Sequence, residues 1–414
     1  MFFRKGLKPL AARKRSSALK LNSASLLSQL HKQKNVQIGK DGVVVSTGFV
    51  QANSFGNNDK VLVKDGNYVY VYRRSGVYVL MVNMDEAINL SFTVNDDTFS
   101  SVLYFGQKLL SCGQGTFLCN KTSFKQITTY CFKSMAVSGD RLFGLGTNNF
   151  LYVMSAGEIT KAEMSYHLTP HTPVDALVST DKLYLLGDTC YTLISNAEEI
   201  DMKYAPFCKG IGTVQNGSVA VFGKKVIFAT NHGLYKLQSN SITPIFSSLN
   251  GEVGFDGCVA CGLDGKYYLS CKIKGTDSTV NNVLLVLDVE KEQLCGVMDI
   301  STQSMIADDG KLYAIVDGRL MCLDQTELDS CYCEVVDFDT AETKHLDKLL
   351  ICTRTDTELW IGNGCEKRRY KVKGKGVVQR IPICGSGITF TVQAETCGGM
   401  GLERVELVAH TCEV

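Results

Sequence analysis

A strand–turn–strand unit that returns about every forty residues is the strongest constraint on how this chain folds. Residues 308–324 show it most plainly. An apolar run at 312–316 is followed by Asp317-Gly318 and then by a second apolar run at 320–323. Asp-Gly between two such runs predicts a tight hairpin, because a type I′ turn needs positive φ at both central residues. Asp309-Gly310 marks another turn just before the first run. Copies with the same pattern lead with Tyr68, Leu109, Leu142, Leu183, Val226, Tyr267, Leu312 and Leu349. Their spacings are 41, 33, 41, 43, 41, 45 and 37 residues. Each period has room for two further strands, and none shows helical spacing. A lone four-stranded sheet exposes two apolar faces, whereas a closed ring of such sheets buries both. The pattern therefore predicts an all-β protein built as a β-propeller of about seven blades, with six to eight compatible with the spacing.

The ends of the chain differ from the repeat. Residues 1–38 read as a basic arm. The first forty residues hold ten Lys or Arg, and the first acid is Asp41. Ser23-Ala24-Ser25-Leu26-Leu27-Ser28-Gln29-Leu30 has leucines at helical spacing behind serine caps, which predicts one short helix. The arm is also Ser-rich and acid-free, like an organellar transit peptide. No hydrophobic signal-peptide core follows Met1-Phe2-Phe3. Residues 39–364 are assigned to the propeller, with the hairpin around 347–361 as an eighth copy. Residues 365–414 are assigned to short strands that complete the last blades or form a small sandwich beside the ring.

Charge and cysteine content narrow the function classes. Net charge is +1, so the overall field selects no partner, and the charge is concentrated at the two ends. Arg4, Lys5, Lys8, Arg13, Lys14 and Arg15 lie in the arm, and Lys367, Arg368, Arg369, Lys371 and Lys373 lie in the C-terminal segment. Both groups are candidates for contact with another subunit or with nucleic acid. For the arm, the competing reading is a solvated tail. For the C-terminal segment, it is an edge strand whose cations prevent sheet-to-sheet aggregation. The 17 cysteines are odd in number and many sit inside apolar strands, as in Met321-Cys322-Leu323. They read as reduced, buried small hydrophobes. No apolar run approaches the length of a membrane-spanning helix.

No catalytic or metal-binding signature emerges. Cys258-Val259-Ala260-Cys261 lacks a second ligand pair, and Cys331-Tyr332-Cys333 reads as two side chains on one strand face. His167 and His171 are separated by Pro170 and followed by Pro173, which predicts a loop rather than a helical ligand pair. Asp181, Asp264, Asp309 and Asp347 recur at one position of the repeat, and such repetition points to turn chemistry. GxSxG, GxGxxG after a strand, the P-loop and HExxH are absent. No cofactor is expected, and the chain reads as non-enzymatic.

Three stretches carry a family resemblance: Glu358-Leu359-Trp360-Ile361, then Lys367-Arg368-Arg369-Tyr370-Lys371-Val372, then Ile388-Thr389-Phe390-Thr391-Val392-Gln393. A Trp-containing strand, a basic segment and alternating strands behind irregular blades resemble the β-propeller structural proteins of tailed-bacteriophage virions. These are the tail nozzle, hub and packaged-DNA stabilisation proteins. The basic arm and the many cysteines depart from that pattern. The resemblance implies a structural component of the virion tail or neck, made in the host cytoplasm and assembled in copies around the DNA channel. Its implied partners are portal, adaptor or tail subunits, with DNA passing nearby without sequence recognition and no membrane insertion. An intracellular kelch- or WD-like scaffold ranks second, although the Gly-His and Trp-Asp pairs of WD repeats are missing. A propeller hydrolase or lyase ranks third.

Overall fold

The computed structural model describes residues 33–34, 36–38, 44–46 and 48–411, except 75, 85, 95–97, 155–163, 169–172, 194–203, 277, 279, 325–330, 338–343, 363–365, 388–389 and 397–400. Two compact units emerge: 49–293 with 299–323, and 1–48 with 294–298 and 324–414. The expected basic arm and its helix fall outside the described residues.

The ring built mainly from the first unit is a β-propeller of seven four-stranded antiparallel sheets, the last strand of the sixth being Gln293–Met298. Blades 1 to 6 begin with strands Lys60–Asp65, Ser100–Tyr104, Phe132–Ser138, Ala176–Ser179, Ala220–Phe222 and Val253–Leu263. Each continues through three further strands in chain order. Blade 7 is assembled differently. Thr302–Asp308, Lys311–Val316 and Arg319–Asp324 supply three strands, and Gly48–Asn53, from ahead of blade 1, supplies the fourth. The last sheet therefore contains the start of the ring, and the ring cannot open without tearing a sheet.

The blades meet through apolar layers. Tyr70 and Val79 of blade 1 pack with Leu110 and Phe117 of blade 2. Leu145 and Val153 of blade 3 pack with Leu177 and Leu185 of blade 4, and Val69 and Leu80 of blade 1 meet Tyr313 and Leu320 of blade 7. The apolar runs that predicted strands are thus strands buried on both faces. Hydroxyls bridge the same junctions. The Tyr70 hydroxyl donates to the carbonyls of Lys121 and Ser123 at 2.7 and 2.9 Å. The Tyr104 hydroxyl donates to the Asp140 carbonyl at 2.8 Å, and that of Tyr267 to Ser218 at 2.7 Å. At the closure, the Ser304 hydroxyl accepts from the Val61 amide at 3.0 Å and donates to the Val61 carbonyl at 2.9 Å.

The expected hairpin at Asp317-Gly318 is present, with φ of +49° and +73°. Asp309-Gly310 and Asp264-Gly265 adopt the same left-handed pair, at +50° and +70° and at +51° and +76°. Their aspartates serve the turns, as the repetition suggested. Asp347 does not: it lies inside strand Lys344–Thr353. His167 lies on strand Met164–Leu168 opposite Leu151, where a loop was expected, and His171 is outside the described residues.

The ring stops earlier than the period indicates. The eighth hairpin is not a blade, because its arms belong to two different sheets. Strand Lys344–Thr353 sits in a five-stranded sheet with Val36–Ile38, Val44–Ser46, Gly401–Thr411 and Gln379–Gly387. Strand Thr357–Gly362 sits in another with Gln33–Lys34, Cys331–Asp337, Phe390–Thr396 and Lys367–Val372. Leu349 and Ile351 of one sheet pack on Leu359, Ile361 and Val392 of the other, forming a β-sandwich. The propeller assignment to 364 and the separate C-terminal piece from 365 are corrected accordingly: 331–362 and 367–411 form one sandwich, joined by strands from residues 33–46. The cause is physical, since short apolar runs joined by a turn read alike whether the strands are buried in a blade or in a sandwich.

Candidate functional site

The basic C-terminal segment forms strand Lys367–Val372, an edge strand of the sandwich. Its register places Lys371 opposite Glu358 and Arg369 opposite Trp360. Acids from the neighbouring strand and turn meet its cations. The Arg369 guanidinium donates to both Glu358 oxygens, with Nε to Oε2 at 2.9 Å, and lies 5.4 Å from the Trp360 ring centre. Lys371 is 3.6 Å from Glu358, Lys373 is 3.5 Å from Asp356, and Arg368 is 3.7 Å from Glu366. Lys367 donates to Gln393 at 3.4 Å. The hydrogen bond from Arg369 holds the Glu358 carboxyl below the usual range, with Lys371 adding to it. Asp356, Glu358, Arg369, Lys371, Lys373 and Glu395 surround a surface hollow of about 640 Å³. The arrangement is a mixed-charge edge rather than a bare cationic stripe, and its exposed Lys and Arg suit the protection of an open sheet edge. Arg4, Lys5, Lys8, Arg13, Lys14 and Arg15 lie outside the described residues.

The second candidate was not signalled by any motif. The first strands of the blades surround a cavity of about 970 Å³ on the ring axis. Apolar walls alternate with a few polar groups, among them Lys60, Lys133 and Asp175. Asp175 accepts from the Val214 amide at 2.9 Å. Burial pushes the Asp175 carboxyl up, opposed by that hydrogen bond and by the charge of Lys133. Burial pulls the Lys133 ammonium down, opposed by Asp175. Lys60 lies 5.7 Å from the Phe99 ring centre. A sequence reading cannot recognise this group, because nothing along a strand tells which residue faces the ring axis.

A further opening of about 350 Å³ shares residues Leu62, Leu103, Val221 and Met305 with that cavity and marks one mouth of the channel. Charges from three blades lock together there. Lys64, only 6% exposed, lies 2.9 Å from Asp309 and 3.6 Å from Asp308, and Lys108 lies 3.0 Å from Asp308. The hydrogen bond from Lys64 holds the Asp309 carboxyl below its ordinary range. At the same mouth Leu103 is 55% exposed and Val221 47%, and Phe105, in the turn after Leu103, is 62% exposed.

The cysteines are consistent with the core reading. Cys112, Cys119, Cys190, Cys258, Cys261, Cys271, Cys295 and Cys352 are buried. Burial pushes the Cys190 and Cys258 thiols up to about 12. Cys258 and Cys261 lie on strand Val253–Leu263. Among the described residues no three of His, Cys, Asp and Glu converge as an ion-holding group. Among them also, no helix is long and apolar enough to cross a membrane. The side chains of Cys331 and Cys333 are outside the description.

No protein-family profile matches the chain, and no curated protein matches it. Solved structures do. The WD40 domain of Neurospora crassa Pan2 superposes with a TM-score of 0.45 at 9% identity, covering 67% of this chain and 95% of that one. BamB from Moraxella catarrhalis gives 0.43 at 10% identity, covering 70% and 90%. The WD40 repeats of RRP9 give 0.46 at 10% identity, covering 67% and 96%. At these identities the likeness is one of fold alone, and the β-propeller assignment stands on the order of the seven sheets.

Proposed function

We propose that the chain is a non-enzymatic protein-interaction scaffold that receives a partner at the apolar mouth of its ring. The observation that carries this reading is the exposure of Leu103 and Val221 around one opening of a closed, internally hydrogen-bonded ring, with exposed Phe105 in the turn that follows Leu103's strand. Large exposed apolar side chains grouped on a rigid frame suit a protein partner. Replacing Leu103 and Val221 together by Ser should abolish association while leaving ring stability intact. Turnover of a hydrolase panel by the wild-type chain, lost in Lys133→Met, would overturn the non-enzymatic reading.

The narrower form of the proposal is a structural component of a tailed-phage tail or neck. Support for it comes from the resemblance in 358–361, 367–372 and 388–393. On this reading the partners are portal, adaptor or tail subunits and further copies of the chain, assembled around passing DNA. Negative-stain microscopy of the pure protein and mass spectrometry of purified particles test it. Ring-shaped assemblies and peptides of this chain in the tail fraction are expected. Monomers alone, with no peptide in any particle, would remove the virion reading and leave the broader one.

A further inference from the structure

We propose that the axial cavity of the ring is a binding site for a carboxylate group, with Lys133 as the cation that receives it. This goes beyond the scaffold reading and does not rest on it, since it depends on Lys133, which does not line the mouth where Leu103 and Val221 are exposed.

The cavity, at about 970 Å³, is within the size range of small-ligand pockets. Most of its polar side chains already serve the ring. Ser304 is bonded to Val61, the Ser134 hydroxyl accepts from the Leu177 amide at 2.9 Å, and Asn216 donates to the Lys133 carbonyl at 2.6 Å. Asp175 is held by the Val214 amide. Among the charged side chains of the wall, Lys133 is the exception. Its main chain is engaged, but among the described residues its ammonium has neither an ion pair nor a hydrogen bond. Asp175 acts on it through space only, and the two do not form an ion pair.

A half-buried ammonium has lost part of its hydration without gaining a counter-ion, and an incoming anion recovers that loss. The neighbouring Asp175 sets the charge of that anion. A doubly charged phosphate would be opposed by a carboxylate beside its receiving cation. A singly charged carboxylate matches one ammonium. Val137, Leu177, Val259 and Met305 provide apolar wall for the rest of the ligand. The carboxylate can belong to a short free organic acid or to the C-terminus of a partner chain entering the channel.

Calorimetric titration of the full chain with hexanoate, with a tetrapeptide ending in a free leucine carboxylate, and with the amide of each tests the proposal. Saturable binding of a carboxylate, at least tenfold tighter than its amide, is expected. Lys133→Met should weaken it at least tenfold, and Lys133→Arg should retain most of it. Because Lys133→Met could unfold the ring, the wild-type chain gives a second readout. Reductive ¹³C-methylation of its lysines should show the Lys133 resonance shifting on titration. Peptide binding without hexanoate binding assigns the carboxylate to a partner chain, and hexanoate binding alone assigns it to a free acid. Equal affinity for acid and amide, or a Lys133 resonance that does not move, overturns the proposal.

Discussion

Removal of the Ser304 hydroxyl probes the closure of the ring at a single atom. Val61 is 4% exposed and lies on the innermost strand of blade 1, where no neighbouring strand pairs with its axial edge. Ser304 stands in for that strand, accepting from the Val61 amide and donating to its carbonyl. Ser304→Ala leaves both groups without a protein partner. Leaving a buried polar group unsatisfied costs about 1–3 kcal/mol. Val61 also lines the cavity, so water can reach the vacated position and the cost falls toward the lower end. For a domain of this size that lowers Tm by roughly 2–4 °C per kcal/mol. Hydrogen exchange read on peptides covering 60–65 should accelerate roughly fivefold or more, since each 1.4 kcal/mol is about tenfold. Ser134→Ala is the internal comparison, because Ser134 makes one such bond, to Leu177, between blades 3 and 4. The sole tryptophan, Trp360, lies in the sandwich, so its emission follows that unit separately. If Ser304→Ala left exchange at 60–65 unchanged while Ser134→Ala accelerated exchange at 176–179, the closure through Ser304 would be refuted.

Three further outcomes are expected. Gly144→Ala should cost about 1–3 kcal/mol in a denaturant melt, because its new Cβ would stand 2.5 Å from the ring of buried Phe132. Iodoacetamide at pH 8 should label exposed Cys384 in the native protein and spare Cys190 and Cys258, whose thiols burial pushes up to about 12; peptide mapping reads this, and labelling of either buried thiol without denaturant would contradict the packing. Glu358→Gln with Asp356→Asn should release Arg369, Lys371 and Lys373 and increase retention on a heparin column. For the wild type, the sign follows from a depressed carboxyl: the Glu358 pairing persists below the pH at which an ordinary glutamate protonates and is lost only as pH falls through its lowered value. Heparin retention should therefore rise only in that more acidic window, and a rise already at the ordinary glutamate pKa would contradict the pairing.

The ring was legible because its hairpins carry local chemistry. Asp317-Gly318 and Asp264-Gly265 specify their turns within two residues, and apolar runs such as 312–316 specify strands. What lies between distant residues was not legible. Nothing in Gly48–Asn53 says that it completes a sheet begun some 250 residues later, since an outer strand has the same composition wherever it pairs. Leu349 and Leu359 continue the apolar pattern of the repeat, yet the chain changes sheets between them. The basic segment was visible as a run of Lys and Arg. Its neutralising partner, Glu358, becomes evident only when the register sets it opposite Lys371. Lys133 was invisible as a site for a related reason: facing the ring axis is a property of the assembled ring.

The ring is closed by its own early strand, and cross-linking across that closure tests this most directly. Gln51 and Arg319 meet side by side on the joined strands, with Arg319 Nη1 3.3 Å from Gln51 Oε1. With both replaced by cysteine in a Cys384→Ser background, a short bis-maleimide should link positions 51 and 319 within one chain. Peptide mapping should recover the linked pair in high yield from native protein and not from protein labelled in denaturant. Absence of that link under native conditions, or linkage only between chains, would contradict a ring whose seventh blade is completed by Gly48–Asn53.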